Sequence, residues 1–419
     1  MIDRPLSLPC GITLANRLCK SAMTEGLASP AGRATPEHQR LYAAWAAGGA
    51  ALHLTGNIMI DGRYLERAGN VVVEGDAGLA ELRAWAATVH AHGSVLWGQI
   101  SHPGRQCPRL VNLHPLAPSP VQLDLVGNFG QPRAMTEEQI RDVVARFGRT
   151  AGVLKKAGFD GVQVHSAHGY LLSQFLSPRT NRRADAWGGA LENRARLLLE
   201  SVRAVRAAVG PEFPVSVKLN SSDFVKGGFG PEECLQVVRW LSDAGIDLLE
   251  VSGGTYEQTE FFKSHAEDEI RDSTRHREAM FLKYADAIKA VATMPVMVTG
   301  GFRTRAGMDD ALDKGATDMI GLARPFCVDP AFPRRMLAGE LPALPVPEDR
   351  LVLGRGFWGP NSTSRHMQGL NNQCQAGWYY TQIERLGAGL EPRPALSPWA
   401  ALLGHLSKDF GRAMARKFA

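Results

Sequence analysis

Phe159-Asp160-Gly161-Val162-Gln163-Val164-His165-Ser166-Ala167-His168-Gly169-Tyr170 is the stretch that settles how this chain is read. Its first half is a short valine-bearing run bounded by glycine, which fits a buried strand. Its second half leaves that strand with two imidazoles three residues apart and a phenol two further on. Two ring N–H donors can serve one carbonyl oxygen, while a separate phenolic acid serves one carbon. Those are the parts needed to polarise a conjugated double bond and to protonate it. A lone histidine after a strand is usually structural, but three such groups crowded together point to catalysis by His165, His168 and Tyr170.

Runs of the same kind recur on both sides. Strands are predicted at Arg17–Met23, Ala50–Asn57, Ser94–Ser101, Asp160–His165, Pro214–Leu219, Asp247–Val251, Pro295–Gly300 and Thr317–Gly321. Between them, helical spacing predicts helices at Pro36–Ala47, Gly78–His92, Thr136–Ala157, Leu191–Val209, Pro231–Ala244 and Arg275–Ala292. Thr136-Glu-Glu-Gln139 has the form of a capping box, and Pro231 suits a first helical turn. Strands alternating with helices argue for an α/β fold with a parallel sheet. Eight of them favour a closed (β/α)8 TIM barrel over an open sheet. The long connections 100–134 and 219–230 then decorate the C-terminal face, where barrels build their sites. The alternation stops near Pro345. Residues 1–345 are therefore read as the barrel and 346–419 as a helical C-terminal extension.

Composition narrows the class. The chain has 419 residues, 44% hydrophobic and 21% charged, enough for one barrel-sized domain. A formal net charge of +5 suits an anionic cofactor or substrate but is too diffuse to argue for nucleic acid. The six cysteines show no CxxC spacing, so neither a zinc nor an iron–sulfur site is expected, and no metal ligands are assigned. No apolar leader and no membrane-length apolar run is visible, so a cytoplasmic location is expected.

The seventh and eighth strands end in Thr299-Gly300-Gly301-Phe302-Arg303 and Ile320-Gly321-Leu322-Ala323-Arg324. Glycines there let backbone N–H groups approach a phosphate, and Arg324 adds a forked donor at the rim where barrels commonly bind phosphate. Gly354-Arg-Gly356-Phe-Trp-Gly359 matches a dinucleotide turn in form only. Pro360-Asn-Ser-Thr follows it instead of a helix, so a loop is expected there.

Asn16–Glu25, Leu96–Gln106, His165–Pro178 and Asn181–Arg194 together resemble the Old Yellow Enzyme family of FMN-dependent ene-reductases, over roughly Ile2 to Arg335. Some members pair His with Asn; two histidines resemble the bacterial branch. The resemblance implies FMN, reduced by NADH or NADPH, which leaves and is replaced by an electron-poor alkene. It implies that Ser21, Ala22, Met23 and Thr24 line one edge of the flavin, with the Thr24 hydroxyl on O4. Gln99 would meet the pyrimidine edge, Gly56 would pack close to the ring, and Lys218 would sit near N1 and O2. Many relatives carry Arg there, so Lys218 keeps the charge and loses the fork. His165 and His168 would hold the substrate oxygen, and Tyr170, a phenol of ordinary pKa about 10, would protonate the α-carbon. Two departures stand out. Ala323 precedes Arg324 where many relatives have Gly, and Trp187 replaces the usual Tyr. Asn193 and Arg194 are read as structural.

Other readings are a dienoyl-CoA-reductase or amine-dehydrogenase relative lacking the iron–sulfur cluster, a 2-hydroxy acid oxidase, and a non-catalytic or redox-sensing flavoprotein. In the tail, Cys374-Gln-Ala-Gly-Trp378-Tyr379-Tyr380 supplies an aromatic cluster, and in some relatives a C-terminal aromatic or arginine reaches a neighbouring subunit. A homo-oligomer acting on a small-molecule substrate is expected. Trp399, Leu402, Leu403, Leu406, Phe410, Met414 and Phe418 fall at helical spacing. They fit a helix docked on the barrel or on a partner subunit, with a membrane-surface helix as the alternative.

Overall fold

The computed structural model describes residues 1–123, 127–252 and 284–418. Eight parallel strands close into a barrel: β1 (Leu18–Lys20), β2 (Leu52–Met59), β3 (Val95–Ser101), β4 (Gly161–Ser166), β5 (Val215–Asn220), β6 (Leu248–Ser252), β7 (Val296–Thr299) and β8 (Met319–Leu322). They neighbour one another in chain order, and β8 pairs with β1. Every residue of β2, β4, β5 and β6 is buried, as a sheet covered on both faces requires. The fold is the expected (β/α)8 barrel.

The helices between the strands lie where spacing predicts them, at Pro36–Ala46, Leu79–His90, Glu137–Lys156, Leu191–Val209 and Pro231–Asp243. The capping box closes in both directions. Gln139 N–H donates to Thr136 Oγ1 at 3.3 Å, and Thr136 N–H donates to Gln139 Oε1 at 3.0 Å. The predicted Arg275–Ala292 helix is helical at 284–289, and its earlier part lies outside the described residues. Several features depart from the sequence reading, among them an unpredicted helix at Arg305–Asp313 between β7 and β8. The first strand is shorter, because Ser21–Glu25 peels away to cross β2. A six-residue helix, Leu171–Leu176, starts directly after Tyr170.

The hairpin Leu6–Ser7 with Thr13–Leu14 seals the bottom of the barrel. Its leucines pack with Trp97, Leu248, Met297 and Met319, which come from the N-terminal halves of their strands. The apolar plug sits at the N-terminal end, so polar side chains can occupy the upper interior and the C-terminal mouth.

Residues 354–359 form a loop with a short 3-10 turn, and no strand–helix unit surrounds it. Two helices follow, Arg365–Gly387 and Pro398–Lys417, packed on each other, and the first lies on the Pro36–Ala46 helix. Their close approach needs a glycine: a Cβ on Gly377 would fall 2.7 Å from His405 Cβ. The last helix docks through Ala401, Leu402, His405 and Ala413. Leu403, Leu406, Phe410 and Phe418 stay exposed, so the apolar spacing read as one docking face is split between a buried and an exposed side. Arg67 ties the helix down through a 2.6 Å ion pair to Asp409, with its guanidinium 3.6 Å from the centre of the Tyr380 ring. Among the described residues no helix is long and apolar enough to cross a membrane.

Candidate active site

The end of β4 brings the three rings together. His165 and His168 meet edge to face with centroids 5.2 Å apart, and His165 and Tyr170 do so at 4.8 Å. Ala167 N–H donates to His165 Nδ1 at 3.2 Å, so in the neutral ring the proton sits on Nε2. His168 stands in the left-handed region at φ +59°. Its N–H donates to Asn220 Oδ1 at 3.1 Å, and its Nε2 lies 2.7 Å from Ser252 Oγ. Burial pushes both imidazoles well below their ordinary range. The nearby His168 and Lys218 add to this at His165, as Lys218 does at His168. At neutral pH both are uncharged donors, suited to bind a carbonyl oxygen without presenting a full cation to it. Tyr170 is buried and caps the short helix that follows.

Register explains what surrounds them. His165 on β4 is level with Lys218 on β5, which is level with Glu250 on β6. Lys218 Nζ lies 2.9 Å from Glu250 Oε1, and both side chains are buried. Gln163 Nε2 donates to Glu250 Oε2 at 2.8 Å, and Gln99 Nε2 donates to Gln163 Oε1 at 2.6 Å. Thus Gln99 and Lys218 belong to one polar chain across the upper barrel. The sequence reading missed Gln163 and Glu250. A lone carboxylate inside the apolar run of β6 was the available signal, since such a charge demands a partner.

Ser21 to Thr24 lies along the neighbouring rim. Ser21 Oγ is 2.9 Å from Thr299 Oγ1, Ala22 is half-buried, and Met23 Sδ is 3.7 Å from Cys327 Sγ. Thr24, expected to face a flavin oxygen, donates its hydroxyl to Glu66 Oε2 at 2.6 Å, where Asn57 Nδ2 also donates at 3.0 Å. Gly56, expected against the flavin ring, has its bare Cα facing this segment. A Cβ there would lie 2.4 Å from Met23 O and 2.7 Å from Thr24 Cα. Gly56 N–H also donates to Glu25 Oε1 at 2.7 Å. Asn193 and Arg194 open the Leu191–Val209 helix; Arg194 is buried and bonds Gly189 O and Glu233, a structural role.

At the strand 7–8 rim, Gly300 and Gly301 both take positive φ, +98° and +81°, conformations open to glycine. The space a Cβ on Gly300 would enter is empty. Arg324 is half-buried with Ala323 beside it, and its Nη1 lies 3.1 Å from Glu348 Oε1. Arg303 reaches the same oxygen at 3.1 Å. Burial raises the Glu348 carboxyl, but the two guanidiniums hold it below its ordinary value. Two cations against one carboxylate leave a net positive rim. Open glycine backbone with spare arginine charge at one edge, and a lysine and amide at the other, suit a phosphorylated, polar-edged ring system such as FMN.

The sequence matches the NADH:flavin oxidoreductase / NADH oxidase family over residues 4–341. It is 36% identical to the NADH-dependent flavin oxidoreductase iliE of Hypocrea jecorina over 80% of this chain and 88% of that protein. The old yellow enzyme homologue from Zymomonas mobilis superposes with a TM-score of 0.70 at 28% identity, covering 82% of this chain and 94% of that one. Morphinone reductase in complex with tetrahydroNAD gives 0.68 at 26% identity, covering 83% and 93%. Barrel, rim and family together identify the chain as a member of the NADH:flavin oxidoreductase (Old Yellow Enzyme) family, an oxidoreductase using FMN with NADH or NADPH as reductant.

Proposed function

We propose that the chain reduces the carbon–carbon double bond of α,β-unsaturated carbonyl or nitro compounds, with Tyr170 as the proton donor. The observation that carries this reading is the contact of His165 with both His168 and Tyr170 at the end of β4. FMN, once reduced by NADH or NADPH, supplies the hydride for the β-carbon. His165, through Nε2–H, and His168 hold the substrate oxygen and stabilise the negative charge that develops there. The Tyr170 hydroxyl gives its proton to the α-carbon, the former double-bond pair forms the new C–H bond, and water reprotonates the phenolate.

In this reading Gln99 and Lys218 hold the polar edge of FMN, and Ser21, Ala22, Met23 and Thr24 border it. Gly56 acts through the Met23–Thr24 segment. Gly300, Gly301, Ala323 and Arg324 take the phosphate. Residues 1–345 act as the catalytic barrel, and 346–419 as an extension docked on it. We also infer a homo-oligomer, which the exposed apolar stripe of the last helix supports.

Tyr170→Phe tests the chemistry. Alkene reduction should slow by about 10²–10⁴-fold, while reduction of the enzyme by NADPH changes little. Equal losses in both half-reactions, followed by stopped-flow absorbance, would remove Tyr170 from the role.

A further inference from the structure

The chain leaves the barrel along the rim formed by the ends of β7 and β8. Arg305 N–H donates to Pro342 O at 2.9 Å and Leu344 N–H donates to Arg303 O at 2.7 Å. The segment that ends the barrel is thereby stitched to the turn after β7. A 3-10 turn at Pro347–Arg350 follows at once. It sets Glu348 between Arg303 and Arg324, each of which lies 3.1 Å from Oε1. Both guanidiniums use that one oxygen, while Oε2 is buried and bonds neither.

Charge decides what this contact does. Against the raising effect of burial, the two guanidiniums hold the Glu348 carboxyl below its ordinary value, so it is ionised at neutral pH. A phosphate monoester carries about −1.5 to −2 charges there. Two arginines alone balance it, whereas two arginines already shared with a carboxylate do not. A second partner for that carboxylate comes from the tail. Tyr379, on the Arg365–Gly387 helix, is buried, and its ring centre lies 5.7 Å from the Arg324 guanidinium. Burial above all, and Glu348 after it, raise the Tyr379 phenol, so hydroxyl and carboxyl are neighbours.

We propose that Glu348 competes with the cofactor phosphate for Arg303 and Arg324, and that the Tyr379 hydroxyl draws the carboxylate away from them. The proposal rests on the reading that Gly300, Gly301, Ala323 and Arg324 take the phosphate. It adds Arg303 as a second guanidinium, Glu348 as the internal rival, and Tyr379 as the group that relieves it. The extension then sets how tightly FMN is kept. Its first turn opposes the phosphate, and its first long helix holds the opposing group back.

Titrating the flavin-free full chain with FMN and with riboflavin, followed by flavin fluorescence, separates the phosphate from the ring. Glu348→Gln should tighten FMN about tenfold and leave riboflavin unchanged, and the gain should shrink as salt is added. Glu348→Ala serves the same purpose should the first variant not fold. Tyr379→Phe keeps the ring and removes the hydroxyl, so it should weaken FMN, yet change nothing once Glu348→Gln is present. Inorganic phosphate gives a readout without flavin: it should raise the melting temperature of Glu348→Gln more than that of the unsubstituted chain. Weaker or unchanged FMN binding in Glu348→Gln, an equal change for riboflavin, or a Tyr379→Phe effect that survives in the double variant would overturn the proposal. Arg324→Gln checks the reading beneath it and should weaken FMN but not riboflavin. Equal effects on both flavins would remove the phosphate from this rim and the proposal with it, while the role of Tyr170 would stand.

Discussion

Glu250 and Lys218 are buried charges on adjacent strands, and each is tolerable because of the other. Removing one strands its partner in the upper barrel. Glu250→Ala should therefore lower unfolding free energy by about 3–5 kcal/mol, whereas the pair Glu250→Leu with Lys218→Met should cost far less. Urea titrations of the two variants check this, and equal losses would show that the ion pair is not what matters. Single residues were legible where the groups lie close in sequence, as His165, His168 and Tyr170 do. They were not legible where a partner comes from afar. Thr24 was read from its own segment, and the partner its hydroxyl meets, Glu66, lies 42 residues away. Only the closing of β1 against β2 brings the two together.

At the level of elements, alternation of apolar runs located all eight strands, because a doubly covered sheet needs them apolar. Strand ends were harder to read. β1 ends early because Gly56 offers the following segment a place to lie. Gly56→Ala should force that backbone away, costing about 1–3 kcal/mol and lowering bound flavin. Melting temperature and the absorbance ratio of flavin to protein measure the two effects. Gly321→Ala is the parallel case at the opposite seam. A Cβ there would fall 2.0 Å from Thr299 Oγ1 and 2.5 Å from Ser21 Oγ, so the hydroxyl contact that joins β7 to the end of β1 would have to give way. It should destabilise by a similar amount, about 1–3 kcal/mol. The tail helices were legible as helices but not as neighbours, since spacing defines a face without naming what covers it.

Across the whole molecule, burial depresses many histidines. It leads at His53, lowered to about 3, and at His102 and His405, each lowered to about 4, and it also lowers His38, His165 and His168. Unfolded, these rings take up protons near pH 6.5; folded, they do not. Their contribution to stability is thus complete above about pH 6.5 and drains away as pH falls toward the folded values. Between pH 6.5 and 5 stability should fall by more than one proton's worth, about 1.4 kcal/mol per pH unit. Urea midpoints at several pH values read this directly, and a flat profile would contradict the packing described for these rings. Self-association belongs to the same scale. Leu403 and Phe410 are 63% and 55% exposed on one stripe of the last helix. Leu403→Glu with Phe410→Glu should reduce the mass seen by sedimentation and leave the fold intact. An unchanged mass would exclude this stripe as the contact, and binding of the unsubstituted chain to anionic vesicles would assign it to a membrane surface instead.

The left-handed turn at His168 carries a consequence for which side chains that position admits. Such a torsion is visited several-fold more often by Asn, Asp and His than by other residues with a Cβ. Aspartate cannot donate when ionised, which leaves His and Asn as types that satisfy backbone and substrate together. Lysine and arginine donate equally well, yet the main chain disfavours them before any chemistry begins. The alternation between His and Asn among Old Yellow Enzyme relatives then follows from a dihedral angle as much as from the reaction.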